Sequence, residues 1–122
     1  MAAGFEPVYG ALREVMLASS PGMQVARDDA SGLLLTAPWP HPRKPAEPMG
    51  FGWIRTGKAY VSYHLMPLYM NAAMQARVTP ALKKRMQGKT CFNFKALDEA
   101  AFADLAALTR AGAEAFSKPL RL

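Results

Sequence analysis

His64 and Cys91 are the side chains in this 122-residue sequence best suited to act as base and nucleophile. A thiol attacks as its thiolate, and a nearby imidazole or cation favours that form. A lone cysteine otherwise behaves as a small hydrophobe, and Lys89 and Lys95, two and four residues from Cys91, are near enough that they could lower its pKa. A triad also needs a carboxylate to orient the imidazole, and no Asp or Glu occurs between Pro48 and Leu97. The pair therefore lacks its third member. The chemistry this segment favours is recognition of an anion.

The same segment carries eight cations, Arg55, Lys58, Arg77, Lys83, Lys84, Arg85, Lys89 and Lys95. The rest of the chain has seven basic and nine acidic groups, so the formal net charge of +6 is concentrated in one segment. Such a field attracts a phosphate, a carboxylate, a nucleic-acid backbone or an acidic protein surface. Trp53 and Tyr60 add flat apolar faces that can stack on an aromatic ligand. Metal chemistry finds less support. Two His and one Cys at scattered positions lack zinc-site spacing, and the adjacent acid pairs are Asp28-Asp29 and Asp98-Glu99, the latter placed to cap a helix. There is no glycine-rich phosphate loop, so no cofactor is implied.

The elements that must position these groups follow from periodicity. Phe5, Val8, Leu12, Val15 and Met16 recur at helical spacing, with Pro7 tolerated in the first turn and Ser19-Ser20-Pro21-Gly22 as the stop. Met23 to Arg27 and Leu33 to Ala37 read as a hairpin around Asp28-Asp29-Ala30-Ser31-Gly32. Pro38 to Pro48 holds half of the chain's ten prolines and reads as a surface loop. Phe51 to Arg55 and Ala59 to Met66 form a second hairpin around Thr56-Gly57-Lys58. Leu68 to Val78 is helical or irregular, and Met66, Met70 and Met74 beside Tyr69 fit either an interface or core filler. Thr79-Pro80 opens a short helix closed by Gly88, and Cys91 to Lys95 is a fifth strand. Asp98 caps a final helix with a stripe of Phe102, Leu105, Leu108 and Phe116, and Lys118 supports its C-terminal end.

This order predicts one α+β domain over residues 1–122. We expect a two-layer sandwich with a five-stranded, mainly antiparallel sheet and the N- and C-terminal helices packed on one face. Alternation assigns Ile54, Val61, Tyr63 and Leu65 to the core. It places Phe51, Trp53, Arg55, Tyr60, Ser62, His64, Cys91, Asn93 and Lys95 on the opposite face. Taken singly, each of these suits a half-solvated strand. Together with Lys84, Arg85 and Lys89 they make a candidate binding face for an anionic or aromatic small ligand or an acidic partner. One cysteine and the charged residues Glu6, Arg13 and Glu14 near the N-terminus fit a cytoplasmic protein, and no apolar run reaches the roughly 20 residues a membrane span needs.

Val61-Ser62-Tyr63-His64-Leu65-Met66-Pro67-Leu68-Tyr69, followed by Thr79-Pro80-Ala81-Leu82-Lys83-Lys84-Arg85-Met86-Gln87-Gly88-Lys89-Thr90-Cys91-Phe92-Asn93-Phe94-Lys95, resembles the small bacterial YdhG-like domains of unknown function. The likeness runs from the first helix to the last and is most specific in this middle part. It implies a compact intracellular α+β domain and supplies no catalytic residue. Some members of the wider family are called frataxin-like iron chaperones, so the resemblance also carries iron delivery as an alternative role, beside nonspecific nucleic-acid binding.

Overall fold

The computed structural model describes residues 5–119. Helix α1 (Glu6–Ala18) is followed by strands β1 (Gln24–Asp29), β2 (Gly32–His41), β3 (Lys44–Thr56) and β4 (Val61–Leu65). Three single-turn helices come next, α2 (Pro67–Met70), α3 (Ala72–Gln75) and α4 (Pro80–Lys83). Strands β5 (Met86–Gln87) and β6 (Cys91–Phe94) and helix α5 (Glu99–Ala115) complete the chain. All neighbouring strands pair antiparallel, in the order β1-β2-β3-β4-β6-β5. The expected α+β sandwich is present, with six strands instead of five.

Both long helices cover one face of this sheet. Val8, Leu12 and Met16 of α1 and Phe102, Leu105 and Leu108 of α5 are buried, together with Ile54, Val61, Tyr63, Leu65, Phe92 and Phe94 from the strands. Tyr63 reaches across the layers to share a 2.6 Å hydrogen bond with the buried Thr109 hydroxyl. At Gly52 a Cβ would stand 2.8 Å from Met16 Cε, so the absence of a side chain lets α1 lie close against β3. Gly32 has φ +136° and would bring a Cβ within 2.2 Å of the Ile54 carbonyl oxygen; only glycine suits that turn.

Four sequence expectations change here. Pro38 to Pro48 is a β-ribbon formed by the ends of β2 and β3, not a loop. Its ladder is sparse: between Thr36↔Gly50 and Pro40↔Pro48 no residues pair, so the missing proline N–H groups disrupt little. The ribbon also runs past the paired parts of β1 and β4, which leaves its outer edges without a strand partner among the described residues. What holds it is Trp39, buried with its indole N–H donating to the Phe116 carbonyl at 2.8 Å.

Phe51 belongs to the core and not to the open face. Leu35 pairs with Gly52 and Thr36 with Gly50, so Phe51 is an extra residue on β3, and this bulge reverses the side-chain alternation. Phe51 is fully buried and meets Phe116 edge-on at 5.9 Å. Third, the helix opened by Thr79 stops at Lys83, and Gly88 lies in the β5–β6 turn. Two-residue β5 had been absorbed into that helix. Finally, α5 ends at Ala115 with no basic residue in its last turn, so Lys118 lies beyond it. The Asp98 cap is as expected, accepting from the Ala101 N–H at 3.1 Å.

Candidate functional site

The helix-free face of the sheet displays two cross-strand rows. In the first, Leu34, Trp53, His64 and Cys91 stand opposite one another across β2, β3, β4 and β6, and Gln87 of β5 follows Cys91. In the second, Arg55, Ser62 and Asn93 are aligned across β3, β4 and β6. The rows are two residues apart, roughly 7 Å along the strands. Strand alternation thus brings Trp53, Arg55, Ser62, His64, Cys91 and Asn93 together as the sequence predicted.

The first row is an aromatic and sulfur surface. Trp53 stacks on the His64 ring with centroids 3.8 Å apart and planes 13° from parallel. His64 Nδ1 lies 3.4 Å from Cys91 Sγ and 3.3 Å from the Thr90 hydroxyl. Burial lowers the His64 pKa to about 4, so the imidazole is neutral at pH 7. Burial also raises the Cys91 pKa. A lowering by Lys89 and Lys95 is therefore overturned: both ammonium groups are exposed, and desolvation of the half-buried thiol prevails. A neutral thiol beside a neutral imidazole is not an activated nucleophile.

The second row continues into a polar network. The Ser62 hydroxyl donates to Asn93 Oδ1 at 3.0 Å, and Asn93 Nδ2 donates to Gln87 Oε1 at 2.7 Å. The Tyr60 hydroxyl reaches the same Gln87 oxygen at 3.3 Å. Tyr60 lies in the β3–β4 connection rather than on the strand, yet this bond keeps it on the open side. Gln87 Oε1 thus takes two donors, and the Gln87 amide N–H groups and one N–H of Asn93 have no partner among the described residues.

Around this network Tyr60, Lys84, Arg85, Asn93 and Lys95 line a depression of about 430 Å³. Lys84 caps α4 and Lys95 follows β6, so two separate elements bring these two residues to the wall of one depression. Both side chains are exposed, and neither forms an ion pair among the described residues. Arg85 differs. It donates to Asp98 Oδ2 at 3.1 Å and lies over the Phe94 ring at 5.9 Å, so part of its charge is neutralised at the α5 cap. Lys89 lies outside the depression in the β5–β6 turn. Arg55 faces the β2 side of Trp53, where it lines a shallow surface with Arg27.

The aspartates Asp28, Asp29 and Asp98 are engaged elsewhere. Asp28 is bound by the Arg13 guanidinium, which holds its pKa below the ordinary carboxylate value. Asp29 accepts from the Ser31 N–H and hydroxyl, and Asp98 is held by Ala101 N–H and Arg85. Among the described residues no three His, Cys, Asp or Glu side chains group closely enough to hold a metal ion.

Sequence reasoning missed Gln87 and Thr90. Thr90 lies between the selected Lys89 and Cys91, and Gln87 two residues from both Arg85 and Lys89, but their contribution depends on the β5–β6 turn, which a helical reading of Lys83 to Gly88 conceals. The fold and this face define a class, an α+β sandwich with helices on one side of its sheet and an open face with a cationic rim on the other. No known protein family, curated protein or solved structure matches this chain. No helix is long and apolar enough to cross a membrane among the described residues.

Proposed function

We propose that this protein is a non-enzymatic cytoplasmic binding domain whose open sheet face receives an anionic small ligand. It would belong with the YdhG-like domains that its middle segment resembles. The observation that carries the reading is the convergence of Lys84 and Lys95 on the Tyr60–Gln87–Asn93 network. Two exposed cations supply attraction, while Ser62 and Gln87 fix the Asn93 amide and so orient its remaining N–H. The Tyr60 ring offers a stacking wall for a ligand that carries a base or another flat group.

Calorimetric titration with inorganic pyrophosphate and AMP tests this. Saturable binding is expected, weakened roughly threefold to tenfold by Lys84→Ala or Lys95→Ala through loss of one charge-assisted contact. Equal affinity in the double variant, or no saturation at millimolar ligand, would sink the proposal. A single-stranded oligonucleotide provides the contrast. Nonspecific nucleic-acid binding would show log K falling against log salt with a slope of about −0.7 per phosphate contacted, whereas binding confined to this depression engages few phosphates.

A further inference from the structure

A second recess lies on the other side of Trp53 and His64 from the cationic depression. Met49 and Gly50 of β3, with Met66, Tyr69 and Met70 after β4, line a groove of about 340 Å³ against the tip of the β2–β3 ribbon. It meets the Trp53–His64 surface through Met66 and Tyr69, which line both. Tyr69 is 68% exposed, the most exposed of the large hydrophobic residues among those described. Met74 is buried in the core, whereas Met66 and Met70 are only partly covered. The methionine series is thus divided between packing and groove.

We propose that this groove binds an aromatic carboxylate of one or two rings. Three considerations select that class. Thioethers and a tyrosine ring make favourable contacts with aromatic rings, and methionine adapts its shape to them. The volume lies at the small end of the roughly 300–1,000 Å³ found for small-molecule sites, which suits one or two rings. The rim at the ribbon turn supplies the polar end. Arg43 forms no ion pair among the described residues, Glu47 of the same ribbon included. Its backbone N–H donates to His41 Nδ1 at 3.0 Å, so a neutral His41 carries its proton on Nε2 and presents a donor. Guanidinium and imidazole N–H together match a carboxylate. The site shares no residue with the Lys84–Lys95 depression and does not depend on it.

Gly50 makes the test selective. A Cβ there would find nothing nearer than Trp53 Cζ3 at 3.7 Å, so a larger side chain can grow into the groove without entering the core. Titration with 1-naphthoate, followed by saturation-transfer NMR and calorimetry, should show saturable binding that Gly50→Leu weakens by roughly tenfold or more with little change in melting temperature. Arg43→Gln should weaken 1-naphthoate roughly tenfold and leave the neutral 1-naphthalenemethanol unaffected, while Lys84→Ala and Lys95→Ala change neither. If Gly50→Leu fails to fold, Tyr69→Ala combined with Met70→Ala takes its place, with the same loss expected.

The proposal is overturned if 1-naphthoate does not saturate at millimolar concentration, or if it binds the groove-filled or groove-stripped variant as tightly as the unaltered protein. Concentration-dependent dimerisation that Gly50→Leu abolishes, without naphthoate binding, would give the groove to a second copy of the chain and equally overturn it.

Discussion

His64 shows how a residue's type and its surroundings can point in opposite directions. By type it is the chain's candidate base, but Trp53 covers its ring and burial opposes its charge. The folded protein refuses a proton until the pH approaches 4, whereas the unfolded chain takes one up near pH 6.5. The unfolded state therefore binds more protons within this window. Stability is fully present above pH 6.5 and falls as the pH drops toward 4, by about 1–2 kcal/mol once the half-exposed ring is discounted for solvent screening. The lowered pKa values of Asp28 and Asp98 add a separate loss only as those carboxylates protonate below about pH 4. Urea melts at pH 7, 6, 5 and 4.5 should show this decline in the unaltered protein. His64→Gln should be nearly flat over that range, and an equal slope in both proteins would show that His64 is not its source. The site's membership was legible because alternation on β3, β4 and β6 assigns faces. Its chemistry was not, because spacing places Lys89 and Lys95 near Cys91 but does not reveal that the thiol is half-buried while the ammonium groups are in water.

At the level of elements, what the sequence concealed is where backbone pairing changes phase. Helices α1 and α5, the two tight hairpins and the Thr79 and Asp98 caps were readable because each is signalled by residues within one turn. The bulge at Phe51 is set by its partners Leu35 and Thr36 and by the Phe116 ring, all distant in sequence. The ribbon at Pro38 to Pro48 likewise depends on Trp39 reaching α5. These two features share an anchor, since Trp39 and Phe51 both pack on Phe116, at 5.4 and 5.9 Å. Phe51→Ala should therefore cost about 3–5 kcal/mol by leaving a cavity between β3 and the end of α5. It should also speed amide exchange in the overhanging ribbon. Thermal melts with hydrogen exchange would check both; a loss below about 1 kcal/mol would return Phe51 to the solvated face.

For the whole molecule, the two faces of the sheet keep the packed core apart from the proposed ligand site. The core lies between the sheet and its helices, whereas Lys84 and Lys95 stand exposed at the rim of the opposite face. Removing them costs the core no apolar contact, and exposed substitutions of this kind usually alter stability by less than about 0.5 kcal/mol. Reversing both charges lowers the formal net charge from +6 to +2, two units for each residue, and relieves repulsion within a segment that has no acids of its own between Pro48 and Leu97. The doubly substituted Lys84→Glu, Lys95→Glu protein should accordingly melt at the same temperature as the unaltered protein or slightly higher. Its thermal stabilisation by pyrophosphate should vanish, because stabilisation by a ligand requires binding to the folded state. Arg85→Glu should behave differently, although it changes the net charge by only two units. It places a second carboxylate against Asp98, at the cap of α5, where the guanidinium now donates at 3.1 Å. A lower melting temperature is expected from that site, with loss of ligand response as well. Equal melting temperatures for the Arg85 and lysine variants would show that the cationic rim is uniform, and that the Arg85–Asp98 pair plays no part in holding α5.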